Sequence, residues 1–216
     1  MTPAPTRVDF SPGELGVRAF YRLLNSVVVP RPIAWVSTRA ADGSDNLAPH
    51  SFFTVACADP PIVQFTSVGR KDSLRNVEQT REFVICLASE ELFEQVNDSA
   101  TNFPHGMSEF DQAGLTREPA RTVGPPRVAE SPVALECRLA GTTSFGDSTV
   151  VFGRVLHAAV SHSALREGRP AIDLLKPLAR LGADEWSTIG EVRSLARIRF
   201  RDWGSRLAGP GSRAGG

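Results

Sequence analysis

A proline at position 49 constrains this chain more than any other single residue. It falls within Asn46-Leu47-Ala48-Pro49-His50-Ser51-Phe52-Phe53, a segment that returns beside the strand-like Pro30-Arg31-Pro32-Ile33-Ala34-Trp35-Val36-Ser37-Thr38. In the earlier stretch Ile33, Trp35 and Ser37 point one way, and Ala34, Val36 and Thr38 the other. Between the two segments, Asp42-Gly43 is the dipeptide of a tight hairpin. Proline has no N–H, so a ladder bond is lost at Pro49, and the second strand must be an edge or carry a bulge. With small neighbours at Ala48 and Ser51, it leaves backbone groups within reach of a flat, polar ligand.

The 216 residues fit one domain with a sizeable core. Lys+Arg and Asp+Glu both number 24, and a net charge of zero argues against a general binder of nucleic acid or acidic membranes. No apolar run approaches the roughly 20 residues that span a bilayer. Met1-Thr2-Pro3-Ala4-Pro5 lacks the layout of a secretion signal. Cys57, Cys86 and Cys137 are odd in number, far apart and set among apolar residues, which predicts buried, reduced thiols and a cytoplasmic protein.

Ser11-Pro12-Gly13-Glu14 has capping-box spacing and predicts a short helix to about Leu24, weakened by Gly16. A strand follows over Ile62–Ser67, then a polar turn, Gly69-Arg70-Lys71-Asp72-Ser73, opening a helix with Asp72 as N-cap. Glu82–Ala88 reads as a buried strand and Ser89 as the cap of a second helix. From Asn97 to Ser131 the periodicity breaks down, as in segments that are functional or cover a partner. Val133–Ala140 alternates, with Leu135, Cys137 and Leu139 inward and Glu136 and Arg138 outward. Thr149–Val160 returns as a long strand in which Gly153 predicts a bulge or tight bend, and Glu191–Phe200 reads as a last strand. Many strands, bulge signals and few long helices predict a mainly β protein, a closed antiparallel barrel with peripheral helices.

Rossmann and P-loop glycine motifs are absent, as are Cys-x-x-Cys and His-Glu-x-x-His, so neither a nucleotide site of those kinds nor a metal site is expected. The remaining residues suit a phosphate-bearing aromatic cofactor. Ser67 and Arg70-Lys71-Asp72-Ser73, at a strand end and a helix start, offer cations, hydroxyls and amides to a phosphate. Asn46 to Phe53 runs along a ring edge, and Trp35, Phe52 or Phe53 offers a wall. Ordinary roles stand beside these: Trp35 and one of the two phenylalanines as core, Arg70 and Lys71 as solvated turn charges, His50 as a hydrogen-bonded structural histidine.

Taken together, the two opening segments, Asp59-Pro60-Pro61, Lys71-Asp72-Ser73-Leu74-Arg75-Asn76, Glu82-Phe83-Val84, Arg127-Val128-Ala129-Glu130-Ser131-Pro132 and Leu178-Ala179-Arg180-Leu181-Gly182 resemble the flavin reductase-like family of FMN-binding split barrels. The resemblance covers roughly residues 20–192 and departs from the family pattern at Ala183 and Trp186, where a glycine and a tyrosine are usual. The expected domain runs over 20–203, after an N-terminal extension (1–19), and the glycine-rich composition of 204–216 predicts a flexible tail. It implies a homodimer with FMN near the interface, held by Asn46, Ala48, Pro49, His50, Ser51, Phe52, Phe53, Ser67, Lys71, Asp72, Ser73 and Arg180. The activity implied is an NAD(P)H-dependent flavin reductase, with NADH or NADPH as donor and a monooxygenase as partner. No side-chain catalyst is named, because hydride transfer to a flavin requires none. An FMN-bound electron carrier, an oxygenase of a small substrate and a non-enzymatic flavin-binding module are the alternatives.

Overall fold

The computed structural model describes residues 6–104 and 107–203. Its centre is an antiparallel sheet of seven strands: β1 (Ala34–Arg39), β2 (Asp45–His50), β3 (Phe53–Cys57), β4 (Ile62–Val68), β5 (Glu82–Leu87), β6 (Val133–Phe145) and β7 (Ser148–Val160). Their order across the sheet is β2-β1-β5-β6-β7-β4-β3. The alternation in β1 is as expected, but both faces are buried. Trp35 packs outside the sheet with Val84, Val96 and Phe110. Ala34 and Val36 pack on the inner face with Phe65, Phe83 and Val151.

The sheet is open, so the closed barrel expected from the sequence is not formed: no ladder joins the edge strands β2 and β3. Yet only Ser51 and Phe52 separate those strands in the chain. Flat, a seven-stranded sheet would hold its edges roughly 29 Å apart, whereas three Cα steps reach only about 11 Å. The sheet must therefore roll until its edges face each other, and the His50 and Phe65 rings, from β2 and β4, lie 4.7 Å apart.

Donor supply explains why the roll stops short of closure. Glu109 accepts the Leu47 amide at 2.9 Å, so Leu47 faces away from β1. By the alternation of an antiparallel pair, Pro49 faces away as well. The proline thus lies on an edge, without a bulge, and costs no ladder bond; the loss expected at this position does not occur. One outward donor is capped and the next does not exist.

Gly153 behaves as anticipated. The β6–β7 register shifts between Phe152 and Gly153, and a Cβ at Gly153 would overlap the Phe83 ring. Glu136 does not. It faces outward from the sheet, but the ribbon of Arg117–Glu118 and Arg127–Val128 lies near it, and the residue is 0% exposed. Its carboxylate accepts from the Arg121 amide (2.8 Å), the Thr122 amide (2.6 Å) and Arg127 (2.5 Å).

The predicted first helix is divided at Gly16 (φ 78°) into a turn at Pro12–Leu15, capped by Ser11, and α1 (Val17–Val27). In α2 (Asp72–Thr80) the N-cap is Lys71, not Asp72, whose carboxylate pairs with Arg75 instead. α3 (Phe93–Asp98) follows a short 3-10 turn at Glu90–Leu92, and α4 (Glu109–Gln112) lies in the irregular region. Arg31–Pro32, Ala179–Arg180 and Trp186–Ser187 form a small separate sheet. Glu191–Phe200 is not a strand: residues 188–199 have no regular structure. Cys86 and Cys137 are buried, but Cys57 is only half-buried. The tail proposed at 204–216 lies outside the described residues. Among the described residues no helix is long and apolar enough to cross a membrane.

Candidate functional site

Three clefts lie in a row along the open edge of β2. The middle one, ≈150 Å³, is lined by Asn46, Ala48, Pro49 and His50 from β2, by Lys71, Asp72 and Ser73 at the start of α2, and by residues 99–103 and Glu109. One neighbour, ≈220 Å³, shares Pro49 and Ala100 with it and adds Ile33, Ser51, Asn97, Arg180 and Trp186. The other, ≈440 Å³, shares Asn46, Asp72, Phe103 and Glu109 with the middle cleft and continues along α2 past Arg75, Asn76 and Gln79.

The middle cleft is rich in donors. Asn46 Nδ2 donates to Ser73 Oγ at 3.2 Å, tying the strand to the helix start. Lys71 is exposed, and its ammonium shows no ion pair or hydrogen bond among the described residues, so its charge is available. Arg70, by contrast, is engaged by Glu78 at 2.7 Å. His50 is buried, and its Nε2 has no hydrogen-bond partner. Burial holds its pKa down to about 4, against an opposing backbone contact at Thr66 and with the help of nearby Lys71. The imidazole is therefore neutral at neutral pH. Burial also raises the Glu109 carboxyl above its ordinary value, opposed by the Leu47 amide.

The ≈220 Å³ end has a different character. The Arg180 guanidinium lies 4.4 Å from the Trp186 ring centroid, and Phe93 meets that ring edge-on at 5.2 Å. Arg180 donates to the Ala183 carbonyl at 2.7 Å and has no carboxylate partner among the described residues. Its register partner is Arg31, 8% exposed, whose guanidinium donates to the Asn25 carbonyl, to Val28 (3.1 Å) and to Leu181 (2.7 Å). Burial, and then Arg180, lower the Arg31 pKa.

The structure thus brings together Asn46, Ala48, Pro49, His50, Ser51, Lys71, Asp72, Ser73 and Arg180. Phe52, Phe53 and Ser67 line none of the three clefts. Phe52 meets Tyr21 edge-on at 6.4 Å, Phe53 packs on the inner core, and buried Ser67 donates to the Gly69 carbonyl at 2.8 Å. Trp35 offers no wall: it is 0% exposed, and its Nε1 donates to Ser99 Oγ at 2.8 Å. Ile33 and Trp186 take that place. Residues 99–103 and Glu109 were not identified from the sequence; the broken periodicity marks their segment without marking which residues turn inward.

These donors suit a phosphorylated planar group. Lys71, Ser73 and the first amides of α2 could hold an anion, β2 borders the same cleft, and Ile33, Trp186 and Arg180 line the far end.

Comparison with known proteins gives the family and the fold. Residues 26–178 match the model of the flavin reductase like domain. An uncharacterized protein of Halalkalibacterium halodurans is 37% identical over 202 residues, 88% of this chain and 96% of its own. Nitrilotriacetate monooxygenase component B from Bacillus cereus superposes with a TM-score of 0.83 at 29% identity, covering 89% of this chain and 100% of its own. The 2-nitrobenzoate 2-nitroreductase NbaA of Pseudomonas fluorescens gives 0.83 at 28% identity, covering 89% and 98%.

Proposed function

We propose that this chain, which belongs to the flavin reductase like family, is an FMN-dependent oxidoreductase that takes hydride from NADH or NADPH. The observation that carries the reading is the row of clefts on an unpaired strand edge, with the uncommitted Lys71 beside the start of α2. Lys71, Ser73 and Asn46 hold the phosphate. The backbone of Ala48, Pro49, His50 and Ser51 follows the ribityl chain and ring edge, and Arg180 with Trp186 bounds the ring. Asp72 acts through its position at the helix start, and its charge is matched by Arg75. Phe52, Phe53 and Ser67 support these segments from behind.

Bound flavin supplies the hydride-accepting centre. The protein supplies orientation, and the neutral His50 adds no charge near the ring. Reductive chemistry is supported by the nitroreductase relative, and a partner monooxygenase by the component B relative. A homodimer is supported by α1, where Val17, Tyr21 and Leu24 recur at helical spacing and are 85%, 45% and 45% exposed.

Mixing the protein with FMN and either pyridine nucleotide tests the activity. Oxidation of NADH or NADPH is expected, followed as loss of the reduced nicotinamide's absorbance. Failure with both donors, in a protein that binds FMN, removes the reductase assignment.

A further inference from the structure

We propose that residues 196–201 of one copy of this chain lie as an extended strand in a groove on a second copy, apart from the three clefts described above. The first ground is the segment itself. In Ala196-Arg197-Ile198-Arg199-Phe200-Arg201 apolar residues and arginines alternate, which gives a strand one apolar and one cationic face. Yet the segment joins no ladder among the described residues, and Leu195 and Phe200 are 84% and 95% exposed. Its own body leaves it uncovered. The second ground is charge. From residue 189 onward there are six arginines against two acidic residues, so the rest of the chain holds 18 cationic against 22 acidic residues. The C-terminal part is thus +4 and the body −4, and the body of one copy attracts the basic segment of another.

The groove is the third ground. It consists of two clefts, ≈300 and ≈310 Å³, that share Ala129, Ser131, Pro132 and Ser161, and no residue with the three clefts along β2. It borders a stretch of sheet paired on one side only: β4 follows β7 as far as Arg154, while β7 continues to Val160 beside β6. Ala159 and Val160 of that stretch line the groove. A strand laid there takes up main-chain groups that no ladder uses, as in β-augmentation. Leu174 and Leu175 receive its apolar face. On the polar side Arg127 is taken by Glu136 and Glu118, and Lys176 by Glu91. Glu130 accepts the Thr116 amide at 3.0 Å but meets no cation among the described residues, and an incoming arginine supplies one. Reach is sufficient: Phe200 lies 13 residues beyond Ser187, which spans about 43 Å when extended. Exchanged in both directions, the contact closes a pair of copies.

Two variants of the full chain test this, each altered only at exposed residues: Ser163→Arg, which adds a cation to the groove, and the double variant Leu195→Asp/Phe200→Asp, which spoils the segment. Sedimentation should show self-association weakened about tenfold in either, the loss usual for one anchor of an interface. Trypsin cleavage after Arg197, read by mass spectrometry, should be about tenfold faster in Ser163→Arg than in the unaltered chain, as the segment is released. Adding the double variant to Ser163→Arg should slow that cleavage again, because the double variant brings an intact groove and no competing segment. Unchanged cleavage in Ser163→Arg would overturn the inference. So would a mixture that restores no protection, since the segment would then dock on its own body. Phosphatidylserine vesicles stand for the rival occupant, an anionic surface. Co-sedimentation with them that the double variant abolishes, with self-association unaltered, would overturn the inference as well.

Discussion

Arg127 and Arg31 are both drawn into the protein, and they are satisfied in opposite ways. Arg127 meets two carboxylates, Glu136 at 2.5 Å and Glu118 at 2.7 Å. Burial alone would lower its pKa, and those carboxylates more than reverse the effect. Arg31 meets no carboxylate among the described residues: it donates to carbonyls, lies 5.9 Å from the Phe52 ring centroid, leaves its buried Nε without a partner, and faces a second arginine, Arg180, across the strand pair. A cation matched by an internal anion projects little field and acts as a fastener. A cation held without a carboxylate keeps its field, and here that field reaches Arg180 across the strand pair. The first arrangement belongs to the architecture; the second lies beside Arg180, which lines the ≈220 Å³ cleft.

The largest test of this contrast is Glu136→Ala. It leaves Arg127 with Glu118 alone and the Arg121 and Thr122 amides without their acceptor, and should cost about 3–5 kcal/mol, the usual cost of removing one partner from a buried pair. The urea midpoint measures it; a loss under about 1 kcal/mol would mean that the pair is not the fastener it appears from its geometry.

Acid titration sharpens the same point. The His50 pKa falls from 6.5 to about 4 on folding, so the unfolded chain binds the extra proton first. Stability is full above 6.5 and declines as pH falls toward 4, by about 3 kcal/mol. Glu136, shifted from 4.5 to about 2, adds a second decline below 4.5. Burial would raise this carboxyl; the Arg121 and Thr122 amides, the Thr122 hydroxyl and Arg127 override it. In His50→Gln the first decline should vanish and the second remain, as read from unfolding curves between those limits.

Arg31→Met removes a charge whose partners are carbonyls, so no opposite charge is stranded. The expected loss is about 1–2 kcal/mol, clearly below that of Glu136→Ala in the same urea assay. Arg180→Ala should be the mildest, changing stability by about 0.5 kcal/mol, while weakening flavin binding about tenfold if its charge serves the ligand. Equal losses of stability in Arg31→Met and Glu136→Ala would break the distinction between fastener and site.

Much of this was legible because it depends on neighbours in sequence. Asp42-Gly43 fixes a two-strand turn, with Gly43 at φ 90°, and Gly153 announces a bulge by lacking a side chain. Pro49 announces an edge or a bulge, because a missing donor is tolerable in few other places of a sheet. What failed depends on distant contacts. Glu136 reads as outward until a ribbon many residues earlier covers it. Open and closed sheets share the same strand periodicities; Glu109, far along the chain, helps to decide between them by taking the Leu47 amide. Residues 99–103 are positioned through Ser99, which bridges the Val96 carbonyl and the Trp35 indole, and no local pattern reports that bond.

An exposed strand margin is ordinarily a template on which another chain can crystallise into cross-β stacks. At the margin of β2 the Leu47 amide is occupied and Pro49 has none, so a foreign strand would find its hydrogen-bond rungs missing where they are most needed. The same two residues that leave room for a ligand therefore guard the protein against self-templated fibrils. Replacing Pro49 with a β-branched residue would restore a rung and with it that hazard.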